Sequence, residues 1–167
     1  MGGMAKAGKK KKAASTEAGI KPIASNRKAF HDYEVIEKVE AGLVLQGTEV
    51  KSLRGGQVSF GIAYARISKD GEAWLRDLHI PPYEHGTWTN HEPTRPRKLL
   101  LHKREIVKIK SKIERLGLTV VPLELYWKRG YCKVRLGICR GKKLHDKREA
   151  LKKKADQRAM DRQGRER

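Results

Sequence analysis

LTVVPLELYWKRGYCKVRLGIC, residues 118–139, decides the fold of this chain. Two runs rich in β-branched, aromatic and apolar residues flank Lys128, Arg129 and Gly130, the pattern of a β-hairpin. In the second run Cys132, Val134, Leu136 and Ile138 share one face of a strand, and Lys133 and Arg135 share the other. Side chains alternate across a strand, so the inner row builds a core and the outer row meets solvent or phosphate.

The same design recurs upstream. IAYARIS and AWLRDL, within residues 62–78, flank KDGE, and an Asp-Gly pair between alternating runs predicts a second hairpin. In YEVIEKVEAGLVL (33–45) the apolar and β-branched residues cluster around Gly42, where a bulge or sharp bend would let one long strand curl. GTEVKSLRGG (47–56) has Val50 and Leu53 at helical spacing and a Gly pair to stop it, which predicts a short helix. Ile106, Ile109, Ile113 and Leu116 recur at steps of three and four before Gly117, which predicts a second. A Pro-rich connection, HIPPYEHGTWTNHEPTRPR (79–97), separates the hairpins. Strands interrupted by short helices, with no βαβ repeat, predict a mainly β fold: a small closed OB-type β-barrel with flanking short helices and basic tails. A split α+β sandwich is the alternative architecture.

A chain of 167 residues, 38% hydrophobic, supports one domain with one modest core. With 39 Lys and Arg against 19 Asp and Glu, the net charge is +20, and the natural partner of such a chain is a polyanion, nucleic acid first. Residues 1–24 hold six Lys and one Glu in a low-complexity stretch and are expected to be a disordered Lys-rich arm. Residues 25–140 form the barrel, and residues 141–167, with eleven Lys or Arg against five acids, form a basic tail. No run approaches the ~18 apolar residues of a membrane span, and the basic start lacks the apolar stretch of a secretory signal, so the expected location is cytoplasmic, with no membrane partner. Cys132 and Cys139 have neither a zinc nor a disulfide-framework spacing and read as core thiols.

No catalytic constellation emerges. None of the six histidines lies in a paired ligand spacing, RGGQVSFG opens no phosphate turn, and GICRGKK lacks the first Gly of a P-loop. The expectation is no enzyme, no metal and no cofactor. RNA binding has better warrants, because Lys and Arg clusters attract phosphate while Tyr83, Trp88, Tyr126 and Trp127 either stack on unpaired bases or fill the core. Trp74 and Tyr64 are assigned to the core.

Four long stretches carry a resemblance. NRKAFHDYEV (26–35), EAGLVLQGTEVKSLR (40–54), EPTRPRKLLLHKREI (92–106) and LTVVPLELYWKRGYCKVRLGICRGKKLHDKRE (118–149) closely resemble SmpB, the bacterial SsrA-binding family, and with the intervening segments cover about residues 22–149. The resemblance implies an OB-type barrel that binds tmRNA (SsrA RNA) and delivers it to ribosomes stalled on messages lacking a stop codon, for trans-translation. It also implies alanyl-tRNA synthetase and elongation factor Tu as partners through the same RNA.

Site residues follow from that resemblance. Glu40 and Leu100 match the family's surface for the tRNA-like part of tmRNA. A carboxylate there either accepts hydrogen bonds from base amino or ribose hydroxyl groups, giving selectivity, or pairs with a neighbouring Lys or Arg. His102 stands where some relatives carry Asn, and it either contacts RNA or caps the helix that Glu105 helps start. Asn26, Arg27 and Lys28 match the entry to the barrel, and Arg95, Arg97 and Lys98 the basic run before the leucines. In the tail, Lys142, Lys143, Asp146, Lys147 and Arg148 match the family's junction segment facing ribosomal RNA, His145 a stacking position near the small-subunit decoding centre, and Met160 an apolar position near the end. Glu149 to Lys153 and Asp161 to Arg165 have favourable i, i+4 order, but Arg148 with Lys152 and Arg158 with Arg162 repel, so the free tail is expected to be disordered and to become helical in the empty message channel. A general RNA-binding or ribosome-assembly protein and an RNA-processing enzyme are the rival classes.

Overall fold

The computed structural model describes residues 19–163. In chain order these form strand β1 (Ile20–Ser25), helix α1 (Arg27–Asp32), β2 (Tyr33–Leu43), α2 (Gly47–Arg54), β3 (Tyr64–Ile67), β4 (Ala73–Arg76), β5 (Arg97–Leu100), α3 (Lys103–Leu116), β6 (Thr119–Lys128), β7 (Tyr131–Gly141) and α4 (Leu144–Gln163). The architecture is a mainly β sheet with flanking helices.

Both predicted hairpins form. β6 and β7 pair from Thr119↔Cys139 to Lys128↔Tyr131. Their two-residue turn has Arg129 at φ 51° and Gly130 at φ 80°, the double left-handed geometry that matches the twist of paired strands. β3 pairs with β4 from Tyr64↔Arg76 to Ile67↔Ala73. All pairings are antiparallel: β6 with β3, β3 with β4, β4 with β5, β5 with β2, β2 with β7, and β7 back to β6, so the pairing runs in a ring and β1 lies outside it on β6.

Alternation decides what the ring encloses. Cys132, Val134, Leu136 and Ile138 point inward with Leu75, Leu78, Ile80, Leu53 and Leu125, each large side chain contributing about 1.5–3 kcal/mol by leaving water. Ile106 and Ile109 of α3 are buried and Ile113 packs against the core, while Leu116 is exposed beside the left-handed cap Gly117. The continuous apolar run in β6 has its own explanation: Val121 and Leu123 face a second cluster with Ala29 of α1 and Cys139, so this strand is covered on both sides. Burial pushes the Cys132 thiol up to about 12 and the Cys139 thiol up to about 11, as expected of inert core thiols.

Several expectations change. The arm does not extend to residue 24, because Ile20–Ser25 pairs with β6 as an edge strand, a position that tolerates Pro22; residues 1–18 lie outside the described residues. Gly42 is not a bulge: the register of β2 shifts between Val35 and Glu37. Gly42 is where β2 passes between two partners, Lys133 on β7 and Leu100 on β5, and an added Cβ would lie 3.1 Å from the Leu100 Cβ. Trp74 and Tyr64 are half-buried on the outer face of the β3–β4 hairpin rather than in the core. The tail is a helix over Leu144–Gln163, the conformation its many strong helix formers favour and the one expected of it when bound.

Candidate nucleic-acid interface

Strand parity places Glu40 and Gly42 on the outer face of β2 and Lys98 and Leu100 on the outer face of β5, and the Gly42↔Leu100 pairing brings the two rows together. The result is a groove of about 920 Å³ whose lining includes Glu40, Lys98, Leu100, His102, Lys103 and Lys133. Four of the positions proposed from sequence, on two strands and a helix cap, therefore share one surface. Leu100 is 56% exposed, an apolar side chain held in water by a strand whose next residue inward is core.

Glu40 is held rather than free. Its carboxylate accepts a hydrogen bond from the Tyr126 hydroxyl and forms an ion pair of 3.2 Å with Lys128. The Tyr126 hydrogen bond, ahead of Lys128 and Lys133, keeps the Glu40 carboxyl below its ordinary pKa despite partial burial. Tyr126 is in turn buried, with Arg135 5.2 Å over its ring, and burial followed by the Glu40 contact pushes its hydroxyl pKa strongly up. Glu40 thus presents a fixed, ionised acceptor. Tyr126 reads in sequence only as a core or stacking aromatic, and its place in the same outward row as Glu124 is the signal that its hydroxyl lies at the surface edge.

His102 is the N-cap residue of α3, and its backbone N–H donates to Glu105 at 2.9 Å, so the capping alternative is realised while the residue still lines the groove. Lys98 bridges to Glu72 at 2.6 Å. Lys108 and Lys112 both pair with Glu37 along the groove wall.

Three proposed RNA contacts are structural instead. Arg97 is 0% exposed, so a phosphate cannot reach it, and its guanidinium donates to Glu49, to the Leu78 carbonyl and to the Pro93 carbonyl. Arg95 turns to the same carboxylate, donating to Glu49 through Nε at 2.9 Å. Asn26 is buried as the N-cap of α1, where its Oδ1 accepts from the Ala29 N–H and its Nδ2 donates to the Pro122 carbonyl. Their neighbours Arg27 and Lys28 are exposed.

At the tail junction the Lys142 N–H donates to the Asp32 carbonyl at 3.0 Å, Lys142 Nζ reaches the Phe30 carbonyl, and Lys147 pairs with Asp32 at 3.4 Å. The Lys143 N–H donates to the Asp146 carboxylate at 3.4 Å, at the start of α4. Arg148 is exposed and Met160 is 65% exposed on the far turns. The His145 side chain lies outside the described residues. Among those residues there is no group of His, Cys, Asp and Glu able to hold a metal, and no helix long and apolar enough to cross a membrane.

The SmpB protein family model matches residues 23–166. The SsrA-binding protein of Acidothermus cellulolyticus is 56% identical over 144 residues, covering 86% of this chain and 90% of the relative. That of Staphylococcus aureus is 55% identical over 133 residues, covering 80% of this chain and 86% of the relative. A chain from the solved structure "tmRNA-SmpB: a journey to the center of the bacterial ribosome" aligns with TM-score 0.65 and 52% identity, covering 78% of this chain and 95% of its own length. With most of its length matched by the family model and by relatives more than half identical, this chain belongs to the SmpB protein family.

Proposed function

We propose that this chain is a non-enzymatic, cytoplasmic RNA-binding adaptor that binds the tRNA-like domain of tmRNA and delivers it to stalled ribosomes for trans-translation. The ring of strands acts as a closed OB-type barrel presenting the Glu40–Leu100 groove. The observation that carries the reading is a fixed, ionised carboxylate beside an exposed leucine in one groove of a chain with net charge +20. Lys and Arg supply attraction to any RNA, whereas a held acceptor admits only donors, a base amino group or a 2′-hydroxyl, and repels a misplaced phosphate. Leu100 and the neighbouring aliphatic surface seat an unstacked base. Lys98, Lys103 and Lys133 meet the flanking phosphates, with Arg27 and Lys28 adding attraction from α1. The basic α4, from Lys142 through Met160, engages the small-subunit decoding centre and the empty message channel. Alanyl-tRNA synthetase and elongation factor Tu act on the same RNA.

The test is the dissociation constant for the tRNA-like domain of tmRNA against an ordinary tRNA, at low and near-physiological salt. The expected result is a preference above ~10-fold that persists as salt rises and falls toward unity in Glu40→Gln and Leu100→Ala, because non-specific phosphate attraction alone decays steeply with salt. Equal binding that weakens in parallel would leave a general RNA-binding protein.

A further inference from the structure

The groove does not end at Lys98. On the outer face of the β3–β4 hairpin, Arg66, Ser68, Lys69, Trp74, Arg76 and Pro96 enclose a second, mostly apolar hollow of about 450 Å³. Trp74 lines it: Ala73 and Leu75 are buried in the core, so parity turns the indole outward, half-buried. Among the described residues no cation lies over that ring, although three other aromatic rings are so covered. Arg66, Lys69 and Arg76 form no ion pair among the described residues, in contrast to Lys98, Lys108, Lys112 and Lys128, each of which pairs with a carboxylate around the first groove. An uncovered indole surrounded by unpaired cations fits a base and its two phosphates.

Register joins this hollow to the first groove. Trp74 is the direct partner of Lys98 on β5, and Arg66 is the partner of Trp74 on β3. Leu100 lies two residues beyond Lys98 on the same face, so with about 3.4 Å rise per residue and about 4.8 Å between strands the Leu100 and Trp74 backbones are only about 8 Å apart. An RNA seated on Leu100 therefore passes over Trp74.

We infer that Trp74, with Arg66, Lys69 and Arg76, is a base-stacking subsite for an unpaired nucleotide of the tRNA-like RNA that occupies the Glu40–Leu100 groove. The inference rests on the proposed function and extends its surface across β3 and β4. A stacked base contributes enough that its loss weakens binding about 5- to 100-fold.

The test uses the full chain in two arms. In the first, a W88F/W127F variant leaves Trp74 as the sole tryptophan, and its fluorescence is followed during titration with the tRNA-like domain; strong quenching that saturates with the binding isotherm is expected. In the second, dissociation constants are measured for wild type, Trp74→Phe and Trp74→Leu, with thermal melts confirming that each variant is folded. Phe should keep most of the affinity and Leu should lose about 5- to 100-fold, while R66Q/R76Q should reduce the salt slope by roughly one to two. Wild-type preference for the tRNA-like domain together with an unchanged Trp74→Leu affinity and no quenching overturns the subsite and leaves the proposed function standing. Loss by Trp74→Leu of ribosome binding alone makes the occupant ribosomal RNA and likewise overturns it. A wild-type protein with no preference for the tRNA-like domain removes the reading and the subsite together.

Discussion

Glu49 is fully buried between two guanidiniums, and its carboxylate also accepts from the Gln46 N–H at 2.7 Å. Burial raises its pKa, but Arg95, the Gln46 N–H and Arg97 outweigh that and hold the carboxyl below its ordinary value of 4.5. Burial pulls the Arg97 pKa down while Glu49 supports its charge; a guanidinium does not deprotonate in a folded protein, so the pair is ionised. Removing one partner of such a pair strands the other, so Glu49→Gln is expected to cost about 3–5 kcal/mol in urea unfolding at neutral pH. The pH dependence has a definite sign. Because the folded pKa is depressed, the Glu49 contribution is complete above the unfolded value near 4.5 and is lost as pH falls through the folded one, so wild-type stability should drop below pH 4.5 and do so less steeply in Glu49→Gln. A variant as stable as wild type would show that the triad is not what anchors α2 to β5. This triad was not legible in EPTRPRKLL, where Arg95, Arg97 and Lys98 look alike. Reading RKLL as a strand separates them, since Arg97 then falls inward with Leu99 and Lys98 outward with Leu100.

At the scale of elements, α4 has the weakest claim to autonomous stability. Among the described residues its ties to the body include Lys147 to Asp32 and the Lys142 junction, and beyond them Leu151 and Met160 are exposed on a helix with no extensive packing against another element. A surface ion pair contributes about 0–1 kcal/mol, and a helix of this length without packing is marginal in water. Amide hydrogen exchange should therefore show residues 146–150 modestly protected and residues 151–163 nearly unprotected in the free protein, with RNA slowing the second group by ~10-fold or more as phosphate relieves the repulsion between its cations. Full protection without RNA would sink folding on binding. The elements most legible in sequence were those with strong periodicity, the β6–β7 hairpin and α3. β1, α1 and β5 were missed because their signals are not periodic. Ile20–Ser25 is a strand only through its pairing with β6, and the six residues of α1 are fixed by one buried cap at Asn26.

Across the whole molecule, charge and shape divide the work. The sequence announced a polyanion partner through +20, yet Lys98, Lys108, Lys112 and Lys128 around the Glu40 groove are paired with carboxylates, so charge alone does not mark the recognition surface. That surface arises from register: Gly42 lets β5 close onto β2, and only then do Glu40 and Leu100 stand together. The α4 segment contributes differently. Residues 144–167 hold nine Lys or Arg against five acids, so truncation after Lys143 lowers the net charge only from +20 to +16 and leaves every groove-lining residue in place. At ~150 mM salt, charges more than about 8 Å away are largely screened, so affinity for the tRNA-like domain should change by less than about threefold. Ribosome rescue, measured as tagging of a peptide on a stop-codon-less message in a reconstituted system, should be lost. A truncated chain that still supports tagging would place the ribosomal function in the barrel. One that loses both activities would mean that α4 helps to build the groove, although none of its described residues is in the lining.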